Sequence, residues 1–319
     1  MVRRWPLRVH CESVSGPYSV FRVGTASWTD PTLVESGTFY PPSITTAEGR
    51  LRFYAEQFDT VEVDSTYYAL PSERNAELWA ERTPADFVFH VKAFALLTQH
   101  GAETARLPRA IKELLTEQEL SKGRLSRPNE EVTRLAFGMF AQALEPLRQA
   151  GKLGFLVFQF PPWFTATRGN ARYIEHCRSR LPDHQLAVEF RHDSWLAESR
   201  RSRIFDLLRS LGMSYVIVDA PQVPGSIPAL CESTTDEAYV RFHGRNAENW
   251  DKKGISAAER YKYLYSEREL AEWAGRLRRL PVRAANVVFN NCYANFGVMN
   301  ATTIKQMLKA AREGEATRG

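Results

Sequence analysis

Charged and amide side chains recur in this chain inside short runs that otherwise read as buried strands. "YVRFHGRN" (239–246) sets Arg241, His243 and Arg245 among Val240 and Phe242. "TVEVDSTYY" (60–68) carries Glu62 and Asp64, and "DFVFHVKAF" (86–94) carries His90 and Lys92. "GFLVFQFPP" (154–162) holds Gln159, and "QLAVEFRHDSW" (185–195) holds Glu189 and Arg191. "SYVIVDAP" (214–221) ends in Asp219, and "NVVFNNCYANF" (286–296) contains Asn290 and Asn291. Guanidinium groups bind phosphate or carboxylate through paired hydrogen bonds. Carboxylates and imidazoles are the usual proton-transfer groups near neutral pH. The inventory therefore points to an anionic substrate, phosphorylated or carboxylated, held by Arg241, Arg191, Arg245 and Lys92. His243, Glu189, Asp64 and Asp219 are the candidates for moving protons or orienting the groups that do. Hydrolysis, isomerisation and elimination all fit, with hydrolysis favoured.

Such residues act together only if the fold brings them to one place. The runs above, with "FRVGTASW" (21–28), make eight, each rich in β-branched or aromatic residues. Amphipathic stretches such as "LRFYAEQF", "RIFDLLRSLG" and "ELAEWAGRLRRL" separate them. Strands alternating with helices argue for a parallel sheet, and eight such units match a single (β/α)8 TIM-type barrel. An open dinucleotide-binding sheet would carry a G-x-G-x-x-G turn after its first strand, where this chain reads "GTASWTD". Residues 21–301 are expected to form the barrel, with a helical insertion over 103–150. Residues 302–319 read as a closing helix and tail, and 1–20 as an extension outside the repeat.

Barrel strands alternate between the axis and the surrounding helices. The helix-facing side must be apolar, so the polar member of each alternation is expected to point inward. That rule places Glu62, Asp64, His90, Lys92, Gln159, Glu189, Arg191, Asp219, Arg241 and His243 in a ring at the C-terminal mouth. Parity does not choose a face for Asn290 or Asn291, and the first strand supplies Ser27 or Trp28. A purely structural network of ion pairs is the bland alternative. It weighs heavily for any single residue and less for the whole ring, since buried ion pairs stabilise poorly relative to apolar packing.

Composition narrows the classes. Across 319 residues, 44% are hydrophobic and 25% charged, with a formal charge of +5, too mild for a protein that coats DNA. Part of that excess falls at the start, where Arg3, Arg4 and Arg8 meet Glu12 alone. No apolar run is long enough for a membrane span and no secretory pattern opens the chain, so a cytoplasmic location is expected. The four cysteines are widely separated, which fits a reducing compartment and no structural zinc. No cofactor is expected and no metal ligand is assigned, because no H-E-x-x-H or similar spacing occurs; a divalent ion on the carboxylates is the open alternative. The loop "NAENWDKKGISAAERYKYLYSEREL" mixes Trp250, Lys252, Lys253, Tyr261, Tyr263 and Tyr265. It reads first as a lid or packing helix, and second as a surface for single-stranded nucleic acid. A nucleic-acid-binding or phosphodiester-processing barrel is accordingly the second reading, and an inert scaffold the third.

The ordered set "GTASW", "VEVDSTYY", "FQFPP", "EFRHDSW", "YVRFHGR" and "FNNCYANFGVMNA" resembles the YecE-like family, known as domain of unknown function 72. The likeness runs from about Val23 to Ala301 and implies a TIM-type barrel without implying a reaction. By position it adds Tyr67, Pro161, Gly244 and Asn300 to the residues above, and it supports Glu62, Gln159, Asn290 and Asn291 as binding groups, with Trp28 beside them. The family's Ile-Thr-His segment after the third strand is replaced here by "KAFALLTQHG". Lys92 fits that pattern, and His100 is left unassigned.

Overall fold

The computed structural model describes residues 20–316. Ten strands occur in chain order: β1 (Val20–Ala26), β2 (Thr60–Val63), β3 (Val88–Lys92), β4 (Ala102–Glu103), β5 (Arg124–Leu125), β6 (Leu153–Gln159), β7 (Leu186–Glu189), β8 (Met213–Asp219), β9 (Glu237–Phe242) and β10 (Ala284–Phe289). Eight of them close into a barrel in the order β1-β10-β9-β8-β7-β6-β3-β2, all pairs parallel. This is the expected (β/α)8 architecture. The expected extension, residues 1–20, lies outside the described residues except for Val20, as do 317–319 at the other end.

The strands stop earlier than their apolar runs, because each run continues into the loop at the mouth. Ser65–Tyr67 and Asp193–Trp195 are short 3₁₀ turns rather than strand. Within the expected insertion, the helix Glu130–Gln149 packs on the helix Glu73–Glu81 and so belongs to the barrel's own outer layer. Asn129 caps it by accepting from the Val132 amide. The true addition is the segment before it. There β4 and β5 pair antiparallel, flanking the short helices Arg109–Lys112 and Glu117–Ser121. The closing helix also begins before the expected position, at Phe296.

Between barrel and helices the core is dense in aromatics. Phe160, Phe164, Trp195 and Phe190 stack in sequence with centroid spacings of 4.1, 5.4 and 4.5 Å. This stack anchors the "PPWF" turn after β6 and the "HDSW" turn after β7, so Trp195 is a loop anchor buried under the mouth. Inside the barrel, a bulge between β3 and β6 makes room for His90. A Cβ on Gly154 would lie 2.5 Å from His90 Nδ1, so a glycine is needed there. His90 Nδ1 accepts from the Phe155 amide at 2.9 Å. Among the described residues, no helix is long and apolar enough to cross a membrane.

Candidate active site

Register decides which side chains meet. Gln159 pairs with Glu189, and Arg241 pairs with Val218 on one side and Val288 on the other, all facing the axis. At the centre Arg241 is fully buried between two fully buried carboxylates. Its Nη2 donates to Glu62 Oε1 at 2.7 Å, and its Nη1 donates to Glu189 Oε2 and to Gln159 Oε1. The Tyr239 hydroxyl donates to the other Glu62 oxygen at 2.7 Å. Burial works against charge on Glu189, but Arg191 and Arg241 outweigh it and hold its carboxyl well below the usual range. Glu62, Arg241 and Glu189 thus form an ionic floor in which both Arg241 terminal nitrogens are engaged and its buried Nε has no partner among the described residues.

Above the floor, His243 Nε2 lies 3.2 Å from Glu189 Oε1 and 3.1 Å from Arg191 Nη2. Its Nδ1 is 2.9 Å from the Asn290 amide nitrogen. Asn290 donating to Nδ1 assigns the imidazole proton to Nε2, facing Glu189. Burial, then the charge of Arg191, lowers the His243 pKa to about 3, so the ring is neutral near pH 7. Arg191 is oriented by Glu189 and Gln159. It is also the cation of this cluster that reaches solvent, with 11% side-chain exposure against 0% for Arg241.

A cavity of about 460 Å³ opens at Arg191, walled by Gln159, Val218, Ala220, Trp250 and Tyr261. Trp250 lies over Arg191, with the guanidinium carbon 5.4 Å from the ring centroid, and the Tyr261 ring is 5.8 Å from His243. Both belong to the aromatic-basic loop after β9. Arg260 fastens that loop by donating to the carbonyls of Trp250 and Lys252. Gly244 starts it: φ is +82°, and an added Cβ would lie 2.7 Å from the Tyr263 Cβ. Of the tyrosines singled out there, Tyr265 is buried and Tyr263 donates to Glu269. The loop therefore serves as a lid whose other rings pack against the barrel.

The opposite side of the mouth has a different character. Lys92 ends β3 with its amine over the Tyr67 ring, 4.7 Å from the centroid. Burial, then the neighbouring Arg241, lowers its pKa to about 8. Burial raises the Asp64 carboxyl, with Lys92 partly opposing. Asp64 lines a second cavity of about 230 Å³ with Ser27, Trp28, Trp79 and Arg82. Ser27 there has φ of +71°, a conformation rare for a non-glycine residue. His100 meets Tyr67 edge-on at 5.2 Å, and burial followed by Lys92 lowers its pKa to about 4. Sequence reasoning left His100 unassigned and treated Trp250 and Tyr261 only as loop residues. The signal for the last two was the aromatic density of their loop; for His100 there was none, since its turn departs from the family pattern.

The inward-pointing rule fails at Asp219. It pairs with Phe242, and both face outward. Trp273 Nε1 and the Tyr265 hydroxyl each donate to it at 2.6 Å, and Arg245 donates through Nε and Nη2. Arg245 also reaches Glu269. Asn291 likewise turns from the axis, donating to the Tyr263 carbonyl and to Asn300. The rule assumed an apolar outer face, but the buried donors Trp273 and Tyr265 claim the Asp219 position. Asp219, Arg245, Asn291 and Asn300 tie the last two βα units to the barrel. Asp219→Ala is expected to lose about 3 kcal/mol in urea unfolding, from stranded buried donors, while anion affinity at the mouth stays unchanged. A variant of wild-type stability, or one that loses the ligand while folded, would contradict this placement.

Fold and site together define a TIM-type barrel with a dense ionisable mouth at the C-terminal ends of its strands. Among the described residues, no group of three or more His, Cys, Asp and Glu side chains is arranged to hold a metal ion. The chain belongs to the family described as protein of unknown function DUF72, whose sequence profile matches residues 22–318. It is 32% identical over 294 residues to the UPF0759 protein YunF of Bacillus subtilis, covering 90% of this chain and 93% of that one. The crystal structure of a DUF72 family protein from Thermotoga maritima superposes with a TM-score of 0.71 at 33% identity, covering 91% of this chain and 99% of that one. A DUF72 family protein from Enterococcus faecalis shares the fold, with a TM-score of 0.73 at 23% identity over 91% of this chain and 96% of that one.

Proposed function

We propose that this protein is an enzyme that binds an anionic small molecule at the barrel mouth and acts on it by proton transfer. The observation that carries the reading is the division of labour among the ionisable groups. Glu62, Arg241 and Glu189 neutralise one another in the floor, whereas Arg191 presents its guanidinium to the cavity beneath Trp250. A structural network alone would not need a cation held by two acceptors at the edge of an open cavity. Arg191 is the residue that holds the phosphate or carboxylate. Glu189 and Gln159 are positioning residues that fix its fork. His243, lowered to about 3, and Glu189, held well below the usual carboxylate range, are too acidic for general-base work near neutrality. Asp64, raised by burial, is better suited to carry the proton. Hydrolysis, isomerisation and elimination are all open to these groups, with hydrolysis preferred.

Binding is read from the thermal shift produced by inorganic phosphate, glycerol phosphate and small carboxylic acids. A ligand at a hundred times its Kd adds about 2.7 kcal/mol to stability. Arg191→Met should weaken such binding by roughly 10- to 100-fold, the worth of charge-assisted hydrogen bonds. If anions stabilise the variant and the wild type equally, the assignment of Arg191 fails.

A further inference from the structure

Two buried lysines of this fold invite comparison. Lys152 donates to the carbonyls of Ala80 and Thr83 at 2.6 and 2.7 Å and to the Thr83 hydroxyl, which satisfies its three protons. The Lys92 amine, by contrast, makes no hydrogen bond or ion pair among the described residues and lies over the face of Tyr67. A lysine that only stabilised the barrel would be expected to look like Lys152. The strand order sets β3 between β2 and β6. Lys92 therefore ends the strand that lies between the one leading into Asp64 and the one ending in Gln159. His100 senses the charges of both Lys92 and Arg191, which ties the two sides of the mouth together.

We propose that Lys92 is a nucleophile that forms an imine with an anionic aldehyde, ketone or 2-oxo acid, with Arg191 holding the anion and Asp64 handling the protons. This rests on the anion-binding reading above and gives it a substrate class. The Lys92 ammonium first gives a proton to the Asp64 carboxylate, and the freed nitrogen then attacks the carbonyl carbon, forming the N–C bond as the carbonyl pair moves to oxygen. A proton passes from nitrogen to that oxygen through Asp64, giving the carbinolamine. Protonated Asp64 then donates to the hydroxyl, the C–O bond breaks and water leaves. The nitrogen lone pair becomes the C=N bond, so a protonated imine faces the Asp64 carboxylate. No oxidant or further reactant is needed. With its pKa near 8, about a tenth of Lys92 is free amine at pH 7, against well under a thousandth for an ordinary lysine. A free amine beside a carboxyl whose pKa burial raises is the combination imine formation requires.

Trapping tests this directly. The full chain is incubated with pyruvate, glyoxylate or glycolaldehyde phosphate and reduced with sodium borohydride. Its mass should rise by that of the carbonyl compound less one oxygen, and peptide mapping should place the gain on Lys92. The rate should follow a titration with its midpoint near pH 8, and Arg191→Met should slow it at least tenfold. Lys92→Met, checked for folding by its melting curve, should remain unlabelled. Label scattered over surface lysines such as Lys252 and Lys253, with Lys92 no faster, overturns the proposal. Lactate and glycerol phosphate, anions without a carbonyl, separate the two readings. If they bind through Arg191 but nothing is trapped, the imine fails and the anion site stands; if they do not bind either, both fail.

Discussion

Replacing Arg241 with Met is expected to destabilise the protein by about 3–5 kcal/mol, the loss that follows when a buried ion pair is broken from one side. The reason is what stays behind. Glu62 and Glu189 are fully buried and face each other across the vacated guanidinium. Glu62 would keep the Tyr239 hydroxyl, and Glu189 would keep Arg191 and His243, so neither is stripped bare. Against a typical total of 5–15 kcal/mol this is still a large fraction, visible as a shortened urea baseline and a melting point lower by roughly 5–10 °C. The compensated variant Glu62→Gln, Glu189→Gln, Arg241→Met should recover much of the loss, because no uncompensated charge is then buried. A single Arg241→Met variant within 1 kcal/mol of wild type would show that the floor is hydrated. If the triple variant were the less stable, the penalty would lie in packing instead of charge.

Mild acid should be nearly as damaging. His90 and His243 both have folded pKa values lowered to about 3, by burial first and then by a neighbouring arginine. The unfolded imidazoles titrate near 6.5. A depressed folded pKa means that the unfolded chain binds more protons between those values, so stability is full above about pH 6.5 and is lost as pH falls. From pH 7.5 to pH 5 each histidine accounts for about 2 kcal/mol, giving about 4 kcal/mol for the pair. His100 adds to the same slope in smaller measure, since it is partly open to solvent. Below about pH 4.5 the depressed Glu189 steepens the fall further. Urea midpoints measured at half-unit intervals give the slope directly, and His243→Gln should remove close to half of it. A flat profile between pH 7 and 5 would mean that the rings are protonated in the folded protein and that the neutral tautomer assigned to His243 is wrong.

Much of the fold was legible before any coordinates. Eight apolar runs with helical spacers define the barrel, because a parallel strand buried on both faces must be written in β-branched and aromatic residues. Alternation placed Glu62, His90, Lys92, Gln159, Glu189, Arg191, Arg241 and His243 on the axis side, and they do face it. The parity argument works for these because a side-chain period of two admits only two answers per strand. It failed at Asp219, where Trp273 approaches from a helix and Tyr265 from the loop before it, both more than forty residues away. No local pattern records such a partner.

The sequence by itself determined the barrel, the ring of ionisable groups at its mouth and the family. What only the tertiary structure decided is which of those groups are already answered. Arg241 in β9 and Arg191 just past β7 are the same residue type at one mouth, yet one is locked between two carboxylates and the other opens onto a cavity. Lys152 and Lys92 differ in the same way, the first satisfied by carbonyls and the second left with an aromatic face. Composition fixes the supply of charge. Burial and the three-dimensional pairing of that charge fix which groups keep a proton, which give it up and which are left to meet a ligand.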